Sequence, residues 1–147
     1  MIVGTINQKI AQALKAKDEI RLSTLRLLSS ALNYEFIAKQ HKLSDEEELV
    51  VVQKEAKKRK DAIEAYEKVN ALDRAEKEKK EMAILYEFLP AQMSDENLTK
   101  LVEEAVREAG ASAISDMGKV MGLVMTKVQG RADGGRVSAL VKQKLSV

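Results

Sequence analysis

The sequence has no cysteine and no tryptophan, and it has only one proline and seven glycines. The lack of cysteine excludes a disulfide framework, a thiolate nucleophile and a cysteine-ligated metal. Three tyrosines and two phenylalanines are the only aromatic residues, so the core must be built mainly from Leu, Ile, Val, Ala and Met. No apolar run approaches the roughly 20 residues of a membrane span, and Met1–Ile10 lacks an apolar signal core. We therefore expect a cytoplasmic protein without a membrane partner.

The proportions of hydrophobic residues (45%) and charged residues (33%) are those of a folded soluble chain. The formal net charge is only +2, but the charges are unevenly distributed. From Met117 onward the chain has one acid, Asp133, against six bases: Lys119, Lys127, Arg131, Arg136, Lys142 and Lys144. This asymmetry favours an anionic partner for the C-terminal part of the chain.

Apolar residues in the N-terminal part of the chain recur at steps of three and four, the spacing of one helix face. The pattern predicts one helix around Ile6–Leu14 and a second from about Glu19. Ser44 and Glu47 have the spacing of a capping box and predict the start of a third helix. Behind them lies a coiled-coil-like seam that contains one arginine: Leu49, Val52, Ala56, Arg59, Ile63 and Tyr66.

The stretch Pro90–Met93 is predicted to join two domains. Before it, a fourth helix capped by Asn70 ends at the proline. After it, Ser94 is predicted to cap a fifth helix, which Gly110 ends. Two more helices are predicted over about Asp116–Val128 and Gly134–Leu145, and no sustained alternation predicts a strand. The expected fold class is therefore all-α, with a four-helix N-terminal domain (1–92) and a small three-helix C-terminal domain (93–147).

The stretch GRADGGRV, residues 130–137, is close to a phosphate-binding loop but departs from it in three ways. A helix rather than a strand precedes it, Arg136 stands where the loop needs lysine, and a valine stands where it needs Ser or Thr. The stretch instead predicts a tight turn in which Gly130 ends one helix and Asp133 caps the next. The turn would present Arg131 and Arg136 beside a helix N-terminus, where free N–H groups favour anions.

The sequence offers no catalytic constellation and no metal site. His41 is the only histidine, and it lies between two predicted helices without a second ligand. Glu46, Glu47 and Glu48 point about 100° apart on a helix and serve as capping charges, while the basic run Lys57–Lys60 fits a solvated face. No G-x-S-x-G sequence is present. We predict no catalytic residue, no metal and no cofactor, and whether the chain is an enzyme stays open.

Two features of the sixth helix each allow two interpretations. Met117, Met121 and Met125 belong to the core beside the valines, or they form a pliable partner groove; the core is favoured. Gly118 and Gly122 each cost a helix interior about 1 kcal/mol relative to alanine. We expect either close packing against the preceding helix or the approach of a sugar–phosphate backbone.

Several stretches of the chain resemble the GatB/YqeY family. They are KAKDEIRLSTLRLLSSAL near the N-terminus, QKEAKKRKDAIEAYEK in the third helix, EFLPAQMSDENL across the joint, and SDMGKVMGLVMTKVQGRADGGRVSALVKQKL at Ser115–Leu145. The resemblance covers essentially the whole chain and implies a helical N-terminal domain followed by a three-helix tail. The tail also resembles the C-terminal domain of the B subunit of the tRNA-dependent amidotransferase, a carbon–nitrogen ligase that uses glutamine as amido donor. The resemblance implies a tail that holds tRNA, while the catalytic domain of that enzyme has no counterpart here.

The positions that match the family pattern are Gly118, Lys119, Met121, Gly122, Lys127, Gly130, Ala132, Val137 and Leu140. Ser138 departs from an expected asparagine, and Gly135 departs from a lysine that is common in the stand-alone branch of the family. If that asparagine orders a turn or contacts RNA, this chain does so less well.

The resemblance implies a tRNA-binding accessory protein without its own catalytic site, with amidotransferase or aminoacyl-tRNA synthetase components as further partners. The predicted nucleic-acid-binding residues are Gly118, Lys119, Gly122, Lys127, Arg131 and Arg136, with both arginines exposed. The tail has no aromatic residue, so it would recognise RNA by shape or phosphate and not by base stacking.

The alternative hypothesis is a helical protein–protein interaction adaptor that uses the seam around Arg59, or the methionines, as a partner groove. A third hypothesis, an ATP-dependent amidase, rests on the resemblance alone.

Overall fold

The computed structural model describes residues 1–146. This range contains seven α-helices, one 3₁₀ turn (Ile114–Asp116) and no strand, so the predicted all-α class is confirmed. The helices are α1 (Ile2–Lys15), α2 (Glu19–Lys39), α3 (Asp45–Lys68), α4 (Leu72–Tyr86), α5 (Asp95–Ala109), α6 (Met117–Val128) and α7 (Gly134–Leu145). None of these helices is long and apolar enough to cross a membrane.

The chain divides into two compact units, Met1–Pro90 and Ala91–Val147. In the first unit α1 packs on α2, α3 packs on α4, and α2 also contacts both α3 and α4. The aliphatic core predicted from the composition is present, and its buried residues include Ile6, Leu25, Leu28, Leu32, Leu43, Val51, Val52, Ala56, Ile63, Ala75 and Leu85.

Two of the predicted helix boundaries in the first unit have different outcomes. Ser44 and Glu47 form the predicted capping box, in which the Ser44 side chain accepts from the Glu47 N–H and the Glu47 carboxylate accepts from the Ser44 N–H. The prediction that Asn70 caps α4 is wrong, because the N-cap residue is Ala71 and it has no side-chain cap. Asn70 has a φ of 57°, and asparagine tolerates this left-handed conformation, so it follows the end of α3 instead.

The start of α1 is capped from a distant part of the chain. Its first turn contains no acid, and its N-cap residue Met1 makes no side-chain hydrogen bond. Instead the buried Glu48 carboxylate of α3 accepts from the Ile2 N–H at 2.7 Å and the Val3 N–H at 3.3 Å. Two of the free N–H groups at the helix N-terminus thus obtain an acceptor and a negative charge. Glu48 therefore caps a helix other than its own.

The arginine in the predicted seam of α3 forms an ion cluster with α4. Arg59 Nε lies 2.9 Å from Glu81 Oε2 and 3.6 Å from Glu78 Oε2, and the Glu81 side chain is only 8% exposed. Within residues 1–146, neither Arg59 Nε nor Glu78 Oε2 has a hydrogen-bond partner, so the cluster is held by charge rather than by aligned hydrogen bonds. Because α4 fills this seam, the adaptor hypothesis loses its first groove.

The second unit is a three-helix arrangement around a valine-rich core. Every α6 valine is buried, and the core comprises Leu98, Val102, Ala105, Val120, Val124, Val128, Ala132, Val137, Val141 and Leu145. Met117, Met121 and Met125 are half-buried against this core, so the core interpretation of the methionines is confirmed. Ser94 caps α5, and Gly110 ends it with a φ of 62°, both as predicted.

Candidate nucleic-acid interface

The GRADGGRV stretch forms the predicted turn between α6 and α7. Gln129 and Gly130 adopt left-handed conformations, with φ values of 48° and 82°, and end α6. The Asp133 carboxylate accepts from the Arg136 N–H at 2.9 Å and caps α7. A Cβ on Gly135 would lie only 3.0 Å from that carboxylate, so the glycine leaves room for the cap. The cap places a negative charge on the helix N-terminus that an RNA phosphate would otherwise approach.

The structure does not bear out the expectation that Arg131 is an exposed side chain. The residue is half-buried, and its Nε and Nη2 donate to the carbonyls of Val128 and Lys127 at 3.0 and 2.9 Å. These carbonyls lie in the last turn of α6, where no further helical N–H is available. The positive charge also complements the negative end of the helix. Arg131 therefore acts first as a C-terminal cap of α6.

Arg136 is likewise only half-exposed, contrary to expectation. Its Nη2 donates to the Met93 carbonyl at 3.0 Å and to Asp95 Oδ1 at 2.6 Å. The Met93 N–H donates in turn to the Arg131 carbonyl at 2.7 Å. The turn arginines thus tie the beginning of α7 to the segment that leads into α5. Nη1 and Nε of Arg136 make no hydrogen bond within residues 1–146 and stay available.

The positive charge of the C-terminal part is largely balanced within the second unit. Three of its six bases pair with acids of α5: Lys127 with Glu108 at 2.7 Å, Arg136 with Asp95 at 2.6 Å, and Lys144 with Glu103 at 2.6 Å. The hydrogen bond from Lys144 lowers the pKa of the Glu103 carboxyl below its usual value. The sequence-based argument from net charge is weaker in the folded protein, because its neutralising acids lie in an earlier helix.

Lys119 differs from the other predicted bases. It is exposed and has no hydrogen bond or ion pair in the described chain, and the same holds for Lys142. On α6, Lys119 lies with Gly118, Gly122 and Thr126 on the side opposite the buried valines. We call these four residues the α6 strip.

The two glycines of the α6 strip do not support close packing with another helix. A Cβ added to Gly118 or to Gly122 would meet no heavy atom within 4 Å. The close-packing interpretation is therefore wrong, because nothing in the described chain approaches these backbones. The glycines leave helix backbone open to solvent beside an unpaired ammonium group. The structure thus brings together only part of the predicted set, the α6 strip, and engages Lys127, Arg131 and Arg136 elsewhere.

The remaining candidate chemistry is confined to one loop. His41 is exposed, its Nδ1 lies 2.9 Å from the Lys42 carbonyl, and its Nε2 lies 3.6 Å from Glu47. No group of three or more metal-ligating side chains occurs in the part of the chain that the structure describes. These contacts stabilise the loop before α3 and do not assemble a reaction centre.

Comparison with known proteins gives matches of two kinds. An uncharacterized protein of Schizosaccharomyces pombe is 34% identical over 92 residues, which cover 63% of this chain and 75% of that relative. One component of the glutamyl-tRNA(Gln) amidotransferase of Thermococcus gammatolerans is 37% identical over 57 residues. This match covers 36% of the chain but only 9% of the much longer amidotransferase component. The chain is therefore similar to a small part of that component.

The family comparison spans almost all of the chain. The model of the YqeY-like proteins matches residues 3–145, which include all four quoted stretches of sequence and both structural units. The valine-rich three-helix unit, the open glycines and the turn arginines all lie within this range. The chain belongs to the YqeY-like protein family.

Proposed function

We propose that the chain is a tRNA-binding accessory protein of the tRNA-dependent amidotransferase system and has no catalytic site of its own. The observation that carries the proposal is the α6 strip, where Gly118 and Gly122 leave the helix backbone open beside the unpaired Lys119. An RNA sugar–phosphate backbone is a ligand that can use both features, because it is anionic and can lie close to a surface without side chains. Components of the amidotransferase or of an aminoacyl-tRNA synthetase would be the protein partners.

The partial match to the amidotransferase component supports the choice of RNA. The second unit has no aromatic residue, so contacts to phosphate and sugar, rather than stacked bases, would carry the affinity. Lys119 is the first phosphate contact in this proposal. Lys127, Arg131 and Arg136 contribute secondary contacts through the hydrogens that their internal bonds leave free.

A salt titration tests the role of the lysine. Affinity for a folded tRNA, measured by fluorescence anisotropy over a range of salt concentrations, gives the slope of log affinity against log salt. Each phosphate contact contributes roughly 0.7–0.9 to that slope. Lys119→Ala is expected to flatten it by about one contact. Lys15→Ala, which removes an equivalent charge from the end of α1, is the control and is expected to leave it unchanged.

A steric variant tests the role of the glycine. Gly122→Gln adds a long side chain where space is open, so the helix is retained while the backbone is covered. We expect weaker binding to every tRNA tested, since the contact is not to bases. Ala139→Gln on the exposed surface of α7 is the matched control. Unchanged affinity in folded Lys119→Ala and Gly122→Gln variants would show that the α6 strip does not bind RNA.

A further inference from the structure

A second seam of α2 faces away from the core of the first unit. It repeats at steps of three and four and consists of Ile20, Ser23, Leu27, Ser30, Tyr34 and Ile37. This is the a/d spacing of a coiled coil. The opposite side of the same helix carries the buried Leu25, Leu28 and Leu32. We call the outward-facing set the outer seam of α2.

The outer seam exposes an unusual amount of apolar surface. Leu27 is 51% exposed, Ile37 is 64% exposed and Tyr34 is 76% exposed. The chain has only five aromatic residues, yet one of them stands on this outer face while the core is filled by aliphatic side chains. Contiguous apolar surface of this kind marks an interaction site in soluble proteins.

The order of large and small residues fits a second copy of the same helix in the antiparallel direction. When position 28 is brought beside position 29 of the second copy, each seam residue meets the one whose number complements its own to 57. Leu27 then lies against Ser30, and Tyr34 lies against Ser23. Ile20 and Ile37, at the two ends, meet each other. A large side chain thus fills the space over a serine in four of the six layers, as close packing requires.

The residues that flank the outer seam are compatible with the same pairing. On one side they are small, Thr24, Ala31 and Ala38, and permit the two backbones to approach. On the other side Glu19 would face Gln40 of the second copy, and Arg26 would face Asn33. Each charge meets a carboxamide that can hydrogen-bond to it, and no two like charges meet.

A parallel pairing lacks this complementarity. It would place Tyr34 against Tyr34 and Ser30 against Ser30 of the second copy, so crowded layers would alternate with empty ones. We propose that two copies of this chain associate through antiparallel outer seams of α2, about a two-fold axis between Leu28 and Ser29. This association is independent of RNA binding and involves only the first unit.

The oligomeric state of the purified full-length chain tests the proposal. Sedimentation velocity over a micromolar concentration range is expected to show a dimer. The double variant Leu27→Glu, Ile37→Glu is expected to be a monomer with unchanged helix content by circular dichroism, because both side chains are exposed within one copy. Leu72→Glu, at an equally exposed leucine at the start of α4, is the matched control and should stay dimeric. A monomeric parent chain, or a dimer that persists in the double variant, would overturn the proposal.

Single cysteines test the direction of the helices, since the natural chain has none. In the antiparallel pairing the two copies of position 30 lie about 4.5 Å apart along the helix axis, and the two copies of position 23 lie about 16 Å apart. A short bismaleimide should therefore cross-link Ser30→Cys efficiently and Ser23→Cys poorly. Equal cross-linking at both positions indicates a parallel dimer, and no cross-linking at position 30 indicates a different interface; either result contradicts the proposal.

Discussion

Arg136 and Met93 are 43 positions apart in the sequence, and the Arg136 guanidinium donates to the Met93 carbonyl at 3.0 Å. The same Nη2 atom contacts Asp95 at 2.6 Å, so one side chain fastens the start of α7 to the start of α5. The stretch that resembles a phosphate loop in the sequence therefore has an internal task. This changes what a mutation of the turn arginines can reveal about RNA.

Replacement of Arg136 is expected to lower stability as well as any RNA affinity. Arg136→Ala leaves the Met93 carbonyl without its donor and removes the ion pair with Asp95. A hydrogen bond that involves a charged group contributes about 1–3 kcal/mol, whereas a largely exposed ion pair adds little. The unfolding free energy from a urea titration should fall by about 1–3 kcal/mol. Lys142→Ala, which removes an unpaired charge from α7, is the control and should change it by less than about 0.5 kcal/mol; equal effects of the two changes would contradict the assignment.

The glycine in the middle of α6 is expected to be a position where stability can be gained. Gly122→Ala adds a Cβ that meets no atom within 4 Å and removes the conformational freedom of glycine. The variant should unfold with a free energy about 1 kcal/mol higher, measured by thermal or urea denaturation. Gly110→Ala should have the opposite effect, because its φ of 62° is unfavourable for a residue with a side chain. A destabilised Gly122→Ala would mean that something packs closely against α6.

Removal of the Glu48 carboxylate is expected to loosen the first turn of α1. Glu48→Ala deletes the acceptor of the Ile2 and Val3 N–H groups and leaves these donors without a protein partner. Loss of a helix cap or of a charge-assisted hydrogen bond costs about 1–3 kcal/mol. Hydrogen exchange should quicken first at the N-terminal residues of α1. Glu46→Ala removes an exposed acid two residues earlier and should alter neither measurement.

The ion cluster of the α3–α4 pair makes stability depend on pH in a defined direction. Burial and the neighbouring Glu81 charge raise the pKa of Glu78 above its ordinary value of 4.5. The folded state therefore binds the proton more tightly than the unfolded chain does. The stabilising contribution is complete below pH 4.5 and is lost as the pH rises through the higher folded pKa. Glu78→Gln should thus stabilise the protein at neutral pH.

The pH dependence of urea midpoints separates this effect from a general one. The advantage of Glu78→Gln over the parent should shrink as the pH is lowered towards 4.5, where Glu78 itself becomes protonated. Glu64→Gln, at an exposed position of the same helix pair, is the control for loss of a negative charge. An advantage that is constant across the pH range would show that Glu78 titrates alike in the folded and unfolded states.

The joint between the predicted domains is expected to be the first site of proteolysis. Ala91 is exposed and lies between the Pro90 end of the first unit and the anchored Met93, whose N–H and carbonyl are both bonded to the α6–α7 turn. A broad-specificity protease should cut around Ala91 before it cuts within the helices, and two resistant fragments should accumulate. Mass spectrometry of the early fragments checks this. Earlier cleavage elsewhere would contradict the division at residue 92.

Local chemistry made much of the fold predictable from sequence. The Ser44 capping box, the left-handed Gly110 and the Asp133 cap each depend on residues only a few positions apart, so their patterns carry the structure with them. Asn70 shows the limit of this reasoning, because asparagine suits both a helix start and a left-handed helix end. The sequence pattern did not distinguish the two uses.

The candidate site was less predictable because its electrostatics depend on distant pairs. Lys127, Arg136 and Lys144 obtain their acids from α5, at separations of 19 and 41 positions that no periodicity connects. Hydrophobic spacing identified the face of α6 that carries the glycines, but only the three-dimensional packing showed that this face is open. The sequence by itself determined the all-α class and most helix ends, since these follow from the spacing of apolar residues and from local caps. The tertiary structure alone decided which charges are free, because a charge is neutralised by whatever the fold brings within a few ångströms of it.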